Sequence, residues 1–149
     1  NLVITTGNRS ELAVGYCTLY GDMAGGFCVL KDVPKTLVYA LANHRNKHSS
    51  IIPQRIIDRP PTAELAADQT DQDTLPPYDE LDNILHQLID KELSIEETAA
   101  LGHDLMTVKD IAQRIRRNEY KRRQGAIGVR ISEYAFGKDR RYPITHGTL

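Results

Sequence analysis

The residues with the most chemical content come early. Thr6-Gly7-Asn8-Arg9-Ser10-Glu11 follows a short β-type run, Leu2-Val3-Ile4-Thr5, and leads into an amphipathic stretch. Strand, polar turn, helix is how an open α/β sheet presents a ligand: beyond the carboxyl end of the strand, beside the free N–H groups of a helix start. The same residues also have a purely local use. Thr, Asn and Ser cap helices, and a Glu in the first turn complements the helix dipole. Tyr20-Gly21-Asp22-Met23-Ala24-Gly25-Gly26 then marks a loop whose glycines let backbone approach another group closely.

Further charged groups are scattered along the chain. Lys35 follows Pro34 at an expected helix start. Thr62 closes a Pro60-Pro61 pair, and Asp68-Gln69-Thr70-Asp71-Gln72-Asp73 is a polar, acidic tract. Lys121-Arg122-Arg123 ends a basic helical run. Each has a bland alternative: a solvated first-turn Lys, a solvated loop, a cationic complement to a helix C-terminus. His44 and His48 are spaced like a metal pair on one helix face, but no third ligand accompanies them.

The elements that must position these groups are legible in outline. Residues 2–6 read as a buried strand and 9–17 as a short helix. Phe27 to Val33 reads as a strand or extended segment. A helix from Pro34 to about Asn46 carries an apolar stripe of Leu37, Val38, Leu41 and Ala42. Residues 49–78, with five prolines, read mostly as loop. Residues 79–91 place Leu81, Ile84, Leu85, Leu88 and Ile89 on one helix face. Ser94-x-x-Glu97 is a capping box for another helix, ended by Gly102. A last helix from about Asp104 or Thr107 to Arg123 has Val108, Ile111, Ala112 and Ile115 as its apolar face, and the tail from Gly125 reads as irregular.

Composition bounds the class. A chain of 149 residues with 40% hydrophobic and 26% charged residues is long enough for one globular domain with a real core. No apolar run approaches the roughly 18 residues that span a bilayer. Cys17 and Cys28 lack a Cys-x-x-Cys spacing and read as reduced thiols of a cytoplasmic protein. The net charge of −1 hides a segregation: residues 64–104 carry a balance of −11 and residues 105–142 one of +7. The halves can pair with each other in the fold, or the basic half can receive a polyanion. The chain opens on Asn1, directly inside the first expected strand, which points to a piece of a longer protein.

Thr6-Gly7-Asn8-Arg9-Ser10-Glu11, with the run through Asp22, closely resembles the segment after the phosphate loop of the glutamine-dependent NAD synthetases. Val33-Pro34-Lys35-Thr36, Arg59-Pro60-Pro61-Thr62-Ala63-Glu64-Leu65, the Asp68–Asp73 tract with Leu75-Pro76-Pro77-Tyr78, and Asn118-Glu119-Tyr120-Lys121-Arg122-Arg123 resemble later blocks of that family in the same order. The tail Phe136 to Ile144 resembles the ending of its glutamine-dependent branch.

The resemblance implies an α/β fold: the C-terminal part, here residues 1–149, of a doubly wound parallel-sheet domain of the adenine nucleotide alpha hydrolase or ATP pyrophosphatase type, itself mostly helical. It implies a ligase of NAD biosynthesis that adenylates the nicotinate carboxylate of deamido-NAD with ATP and releases pyrophosphate. Ammonia, from glutamine, then gives NAD and AMP. It implies that Thr6, Lys35 and Thr62 bind ATP, that Glu11, Lys121 and Arg122 bind deamido-NAD, and that Glu11 holds Mg²⁺, with no catalytic base assigned. It further implies a homo-oligomer, at least a dimer, in the cytoplasm, with neither nucleic acid nor membrane as partner. The family's Ser-Gly-Gly-x-Asp-Ser phosphate loop and its glutaminase domain have no counterpart in this sequence, and Leu19 and Gly26 stand where ammonia-dependent relatives bind deamido-NAD through Lys and Asp. Two readings compete: a nucleic-acid-binding module on the basic stretch from Lys109 to Arg141, and a catalytically inactive interaction domain.

Overall fold

Three two-residue strands pair in parallel in the order β1-β2-β3, where β1 is Ile4–Thr5, β2 is Phe27–Cys28 and β3 is Ile127–Gly128. The computed structural model describes residues 1–62 and 70–145. Ile4 lies opposite Phe27 and Phe27 opposite Ile127. Thr5 lies opposite Cys28 and Cys28 opposite Gly128. One face of the sheet therefore carries Ile4 and Ile127, the other Thr5, Cys28 and Gly128. The connections run through α1 (Arg9–Val14) from β1 to β2. From β2 to β3 they run through α2 (Lys35–Asn46), α3 (Gln54–Asp58), α4 (Tyr78–Leu85), α5 (Ile95–Ala100), α6 (Leu105–Arg117) and α7 (Glu119–Gln124). The chain is thus α/β with a parallel sheet and mostly helical, as its sequence implies.

The core lies among α4, α5 and α6. Tyr78–Leu85 continues into a π-helical turn, His86–Asp90, so the expected apolar face survives whole: Leu81, Ile84, Leu85, Leu88 and Ile89 are all buried. Val108, Ile111, Ala112 and Ile115 of α6 meet it with the i, i+3, i+4, i+7 spacing of one helix face. Each fully buried Leu or Ile contributes about 1.5–3 kcal/mol. Ser94 caps α5 as expected: its hydroxyl accepts from Glu97 N at 3.2 Å, while Ser94 N donates to the Glu97 carboxylate at 2.8 Å.

Four expectations need correction. The strand in residues 2–6 has only Thr5 buried, and Leu2, Val3 and Ile4 are 57–66% exposed. No described element covers the sheet face that carries Ile4. None of the α2 residues is buried, and Leu37 and Leu41 of its stripe are exposed. The long basic helix is two helices, α6 and α7, broken at Asn118, whose amide reaches out to Val14 O at 3.0 Å and back to Arg114 O at 2.9 Å. The irregular tail contains β3. Gly128 is there because a Cβ would lie 2.2 Å from the Cys28 carbonyl oxygen. Within the proline-rich stretch, α3 and a 3₁₀ turn, Asp71–Asp73, also form.

A buried ion network ties these layers together. Arg9, at the start of α1, donates to both carboxylate oxygens of Asp90 at 2.6 and 3.1 Å and to Tyr134 O at 3.3 Å. Its Nε stands 3.6 Å from Asp32. Asp32 in turn accepts from Ile131 N at 2.7 Å and from Ser132 N at 2.6 Å, which anchors the chain after β3. Burial pushes the Asp90 carboxyl up, but the bonds from Arg9 and His86 outweigh it and hold the pKa below the ordinary value. A depressed folded pKa gives stability above the unfolded carboxylate pKa of about 3.9, which is lost as pH falls through the folded value. Asp90→Asn should therefore cost about 1.5–3 kcal/mol at pH 7. The gap from the parent should narrow at pH values below about 4. Chemical denaturation of both proteins at neutral and acid pH checks this, and a gap that does not change with pH contradicts it.

Candidate functional site

Beyond the carboxyl end of β1 lies a cavity of about 630 Å³. Its wall begins at α1. Asn8 caps that helix by accepting from Glu11 N at 3.0 Å, and Glu11 Oε2 accepts from Asn8 N at 3.3 Å. This reciprocal box holds the Glu11 carboxylate against the helix start. Its other oxygen accepts from Lys35 Nζ at 2.7 Å. The Lys35 ammonium also stands 5.4 Å from the centre of the Tyr78 ring and 5.8 Å from that of Tyr39, in cation–π range of both. Glu11 and Lys35 thus form a half-buried, mutually neutralised pair. An incoming phosphate competes with Glu11 for Lys35, and an incoming cation competes with Lys35 for Glu11.

The opposite rim is the proline loop. Thr62 pairs with Thr70 in an isolated antiparallel bridge, and Asp71 N donates to Pro61 O at 3.1 Å. Asp71 is buried and accepts from the Tyr78 hydroxyl at 2.5 Å. That bond adds to burial in raising the Tyr78 pKa, so the phenol is neutral at pH 7. The two ends of the loop are therefore fastened together beside Lys35. Ala63, Glu64, Leu65, Asp68 and Gln69, which the family resemblance covers, lie outside the described residues.

The third wall comes from α7. Lys121 Nζ donates to Gly15 O at 2.7 Å and Cys17 O at 2.9 Å, closing the exit of α1. Gly15, the C-cap, has φ +79°, a left-handed conformation that favours glycine. Cys17 lines the same wall. Burial pushes its thiol up to about 11 against the opposing charge of Lys121, so it is a neutral thiol and not a nucleophile at pH 7.

Five of the six residues singled out in the sequence line this one cavity: Thr6, Glu11, Lys35, Thr62 and Lys121. Arg122 does not. It is 3% exposed and faces the interior. Its guanidinium donates to Ala13 O at 2.9 Å, Leu12 O at 3.2 Å and Glu119 at 3.0 Å, and also to Ile115 O. It stacks 4.8 Å over the Phe136 ring. Tyr16, Cys17, Asp22 and Asp71 on the wall lie in segments the sequence singled out but were given no role, and of the two rings about Lys35 that of Tyr39 was missed.

Part of the basic segment is answered within the fold. Arg114 pairs with Asp110 at 2.6 Å, Arg123 with Glu119 at 2.6 Å and Arg140 with Glu92 at 2.7 Å. This does not favour a polynucleotide-binding module.

Arg122 is accordingly a fold residue. Arg122→Met should cost about 3–5 kcal/mol, because Glu119 is left buried with one cation fewer and the α1 carbonyls lose their donors. Urea unfolding of the two proteins tests it. A variant as stable as the parent would remove Arg122 from the scaffold.

A profile of the NAD synthase family matches residues 1–125. The glutamine-dependent NAD(+) synthetase of Acinetobacter baylyi is 59% identical over 149 residues, which cover 99% of this chain and 28% of the relative. That of Thermotoga maritima is 58% identical over 147 residues, covering 97% of this chain and 26% of the relative. The crystal structure of a glutamine-dependent NAD(+) synthetase from Cytophaga hutchinsonii superposes with a TM-score of 0.73 at 26% identity, covering 96% of this chain and 24% of that one. The chain spans about a quarter of the length of the curated relatives it matches.

Proposed function

Because this chain belongs to the NAD synthase family, we propose that it forms the C-terminal part of a synthetase domain that amidates deamido-NAD to NAD at the expense of ATP. A carboxyl–adenylate forms and pyrophosphate leaves; ammonia then displaces AMP. The ammonia comes from glutamine, as the names of the relatives indicate. One observation carries the reading. Thr6, Glu11, Lys35, Thr62 and Lys121, drawn from separate segments of the chain, line a single cavity of about 630 Å³.

The roles follow from the chemistry of each group. Lys35 is a compact charge for the ATP phosphates, released from Glu11 as they bind. The Thr6 and Thr62 hydroxyls bond the nucleotide. Lys121 has two of its three N–H groups on backbone carbonyls and one left for the carboxylate or pyrophosphate of deamido-NAD. Among the described residues no cluster of three or more His, Cys, Asp or Glu could hold a metal by itself. Mg²⁺ takes one or two carboxylates and completes its shell with water and substrate phosphates. Glu11 would hold it, and when bound it would neutralise phosphate charge. With Cys17 neutral, catalysis rests on orientation and charge compensation rather than on a side-chain base. Among the described residues no helix is long and apolar enough to cross a membrane, and the working form is read as a cytoplasmic homo-oligomer.

The test uses the protein as encoded, supplied with ATP, Mg²⁺, deamido-NAD and either ammonia or glutamine. NAD, AMP and pyrophosphate should appear in equal amounts; ADP and phosphate in their place would refute adenylation. Glu11→Gln keeps size but removes the charge, so activity should fall by orders of magnitude and recover in part as Mg²⁺ is raised.

Lys121→Ala should act on the other substrate. Loss of one charge-assisted bond is worth about 1.5–3 kcal/mol, or roughly tenfold to more than a hundredfold in kcat/KM for deamido-NAD. The KM for ATP should change little. Steady-state kinetics with each substrate varied in turn checks the assignment, and equal losses for both substrates would remove Lys121 from the dinucleotide site.

A further inference from the structure

Helix α2 carries Lys35 in its first turn yet has no cap of its own. Pro34 precedes it, with no N–H to donate and no side-chain bond to the helix start. The first two N–H groups are satisfied from other elements. Lys35 N donates to the Ser10 hydroxyl at 2.9 Å. Thr36 N and Thr36 Oγ1 both donate to Asp82 Oδ2, at 2.9 and 2.8 Å. The Ser10 hydroxyl donates to the other Asp82 oxygen. Ser10 is fully buried, and Asp82 belongs to α4, outside the wall of the cavity.

The direction of these bonds matters. A serine hydroxyl has one proton. With that proton on Asp82, a lone pair is left to face Lys35 N–H. The carboxylate therefore sets the polarity of Ser10, and through it the backbone position of Lys35. Its negative charge also sits at the positive end of the α2 dipole. Ser10 is a neighbour of Glu11 on α1, so the same carboxylate locks the two helices whose side chains meet in the Lys35–Glu11 pair.

The geometry points to Asp82 as the positioning residue for Lys35: through Ser10 and Thr36 it fixes where the ε-ammonium meets substrate phosphate. The inference rests on the phosphate role given to Lys35 above. An asparagine at position 82 offers an amide donor to one of its partners. If that partner is Ser10, its hydroxyl must turn its proton away from position 82 and accept there instead, so the anchor that fixes the oxygen against Lys35 N is lost. If it is Thr36, the N–H there is left facing a donor.

A double-mutant cycle in the protein as encoded decides between positioning and plain structural support. Asp82→Asn should lower kcat/KM for ATP by about ten- to a hundredfold, the cost of a misplaced active-site group. The KM for deamido-NAD should stay within about twofold. In a Lys35→Met background the same change should cost less than about twofold more, because the group it positions is already gone. Additive losses would overturn the proposal, as would an equal loss for both substrates. Asp82→Glu, which keeps the charge, takes the place of the Asn variant if that one does not fold. A second measurement does not depend on catalysis. Competitive acetylation, read by peptide mass spectrometry with Lys47 as internal standard, should label Lys35 severalfold faster in Asp82→Asn as its hold on Glu11 loosens. Unchanged labelling overturns the positioning role, whereas absence of NAD synthesis in the parent overturns only the reading of the function.

Discussion

A helix of six residues does not hold itself together in water; isolated helices need about 12–15 residues to be even marginal. Helix α1 is that short, and the candidate site is built on it. What holds it is a set of donors brought from the far end of the chain to its orphan carbonyls. Arg122 takes Leu12 and Ala13, Asn118 takes Val14, and Lys121 takes Gly15 and Cys17. The cationic end of α7 thereby meets the negative end of the α1 dipole, an arrangement favoured both by charge and by direct bonding. Without these contacts Glu11 and Ser10 have no fixed place, and the cavity loses a wall.

The other end of α1 is held from α4 and the π-helical turn that continues it. Asp90 grips Arg9, and two turns earlier Asp82 grips Ser10 and the start of α2. One helix, packed into the core through Leu81, Ile84 and Ile89, thus sets the positions of both elements that supply the Glu11–Lys35 pair. The core is the ruler against which the polar groups of the site are aligned. That arrangement makes a set of buried charges tolerable, because each has a partner at hydrogen-bond distance.

Both cations of the cavity wall are partnered before any ligand enters. Lys35 lies between a carboxylate and two aromatic rings, and Lys121 between two carbonyls. In the proposed function such groups would need no reorganisation beyond an exchange of partners with a phosphate or carboxylate, which is how a site lowers the cost of developing charge. The fastened ends of the proline loop, Thr62 with Thr70 and Pro61 with Asp71, place another hydroxyl on the rim of the same space.

Much of this was written in the sequence. The apolar periods of α4 and α6, the Ser94 capping box and the strand–turn–helix start at Thr6 are local signals, each carried by residues a few positions apart. The ordered blocks containing Thr6, Glu11, Lys35, Thr62 and Lys121 picked out five residues that share one cavity. Tertiary structure decided what local signals do not hold. β3 is two residues long, and its pairing with β2 joins positions about a hundred residues apart, so nothing near Ile127 announces it. The α2 stripe looks like a core face but is only partly covered by α1, α3 and α4, because burial depends on which neighbours reach it. Lys121, Arg122 and Arg123 read alike as consecutive cations. A helix advances about 100° per residue, so the three point to different surroundings. Lys121 reaches the cavity wall, Arg122 the interior and Arg123 the surface beside Glu119, and it is the packing of α7 against α1, not the residue types, that separates the three.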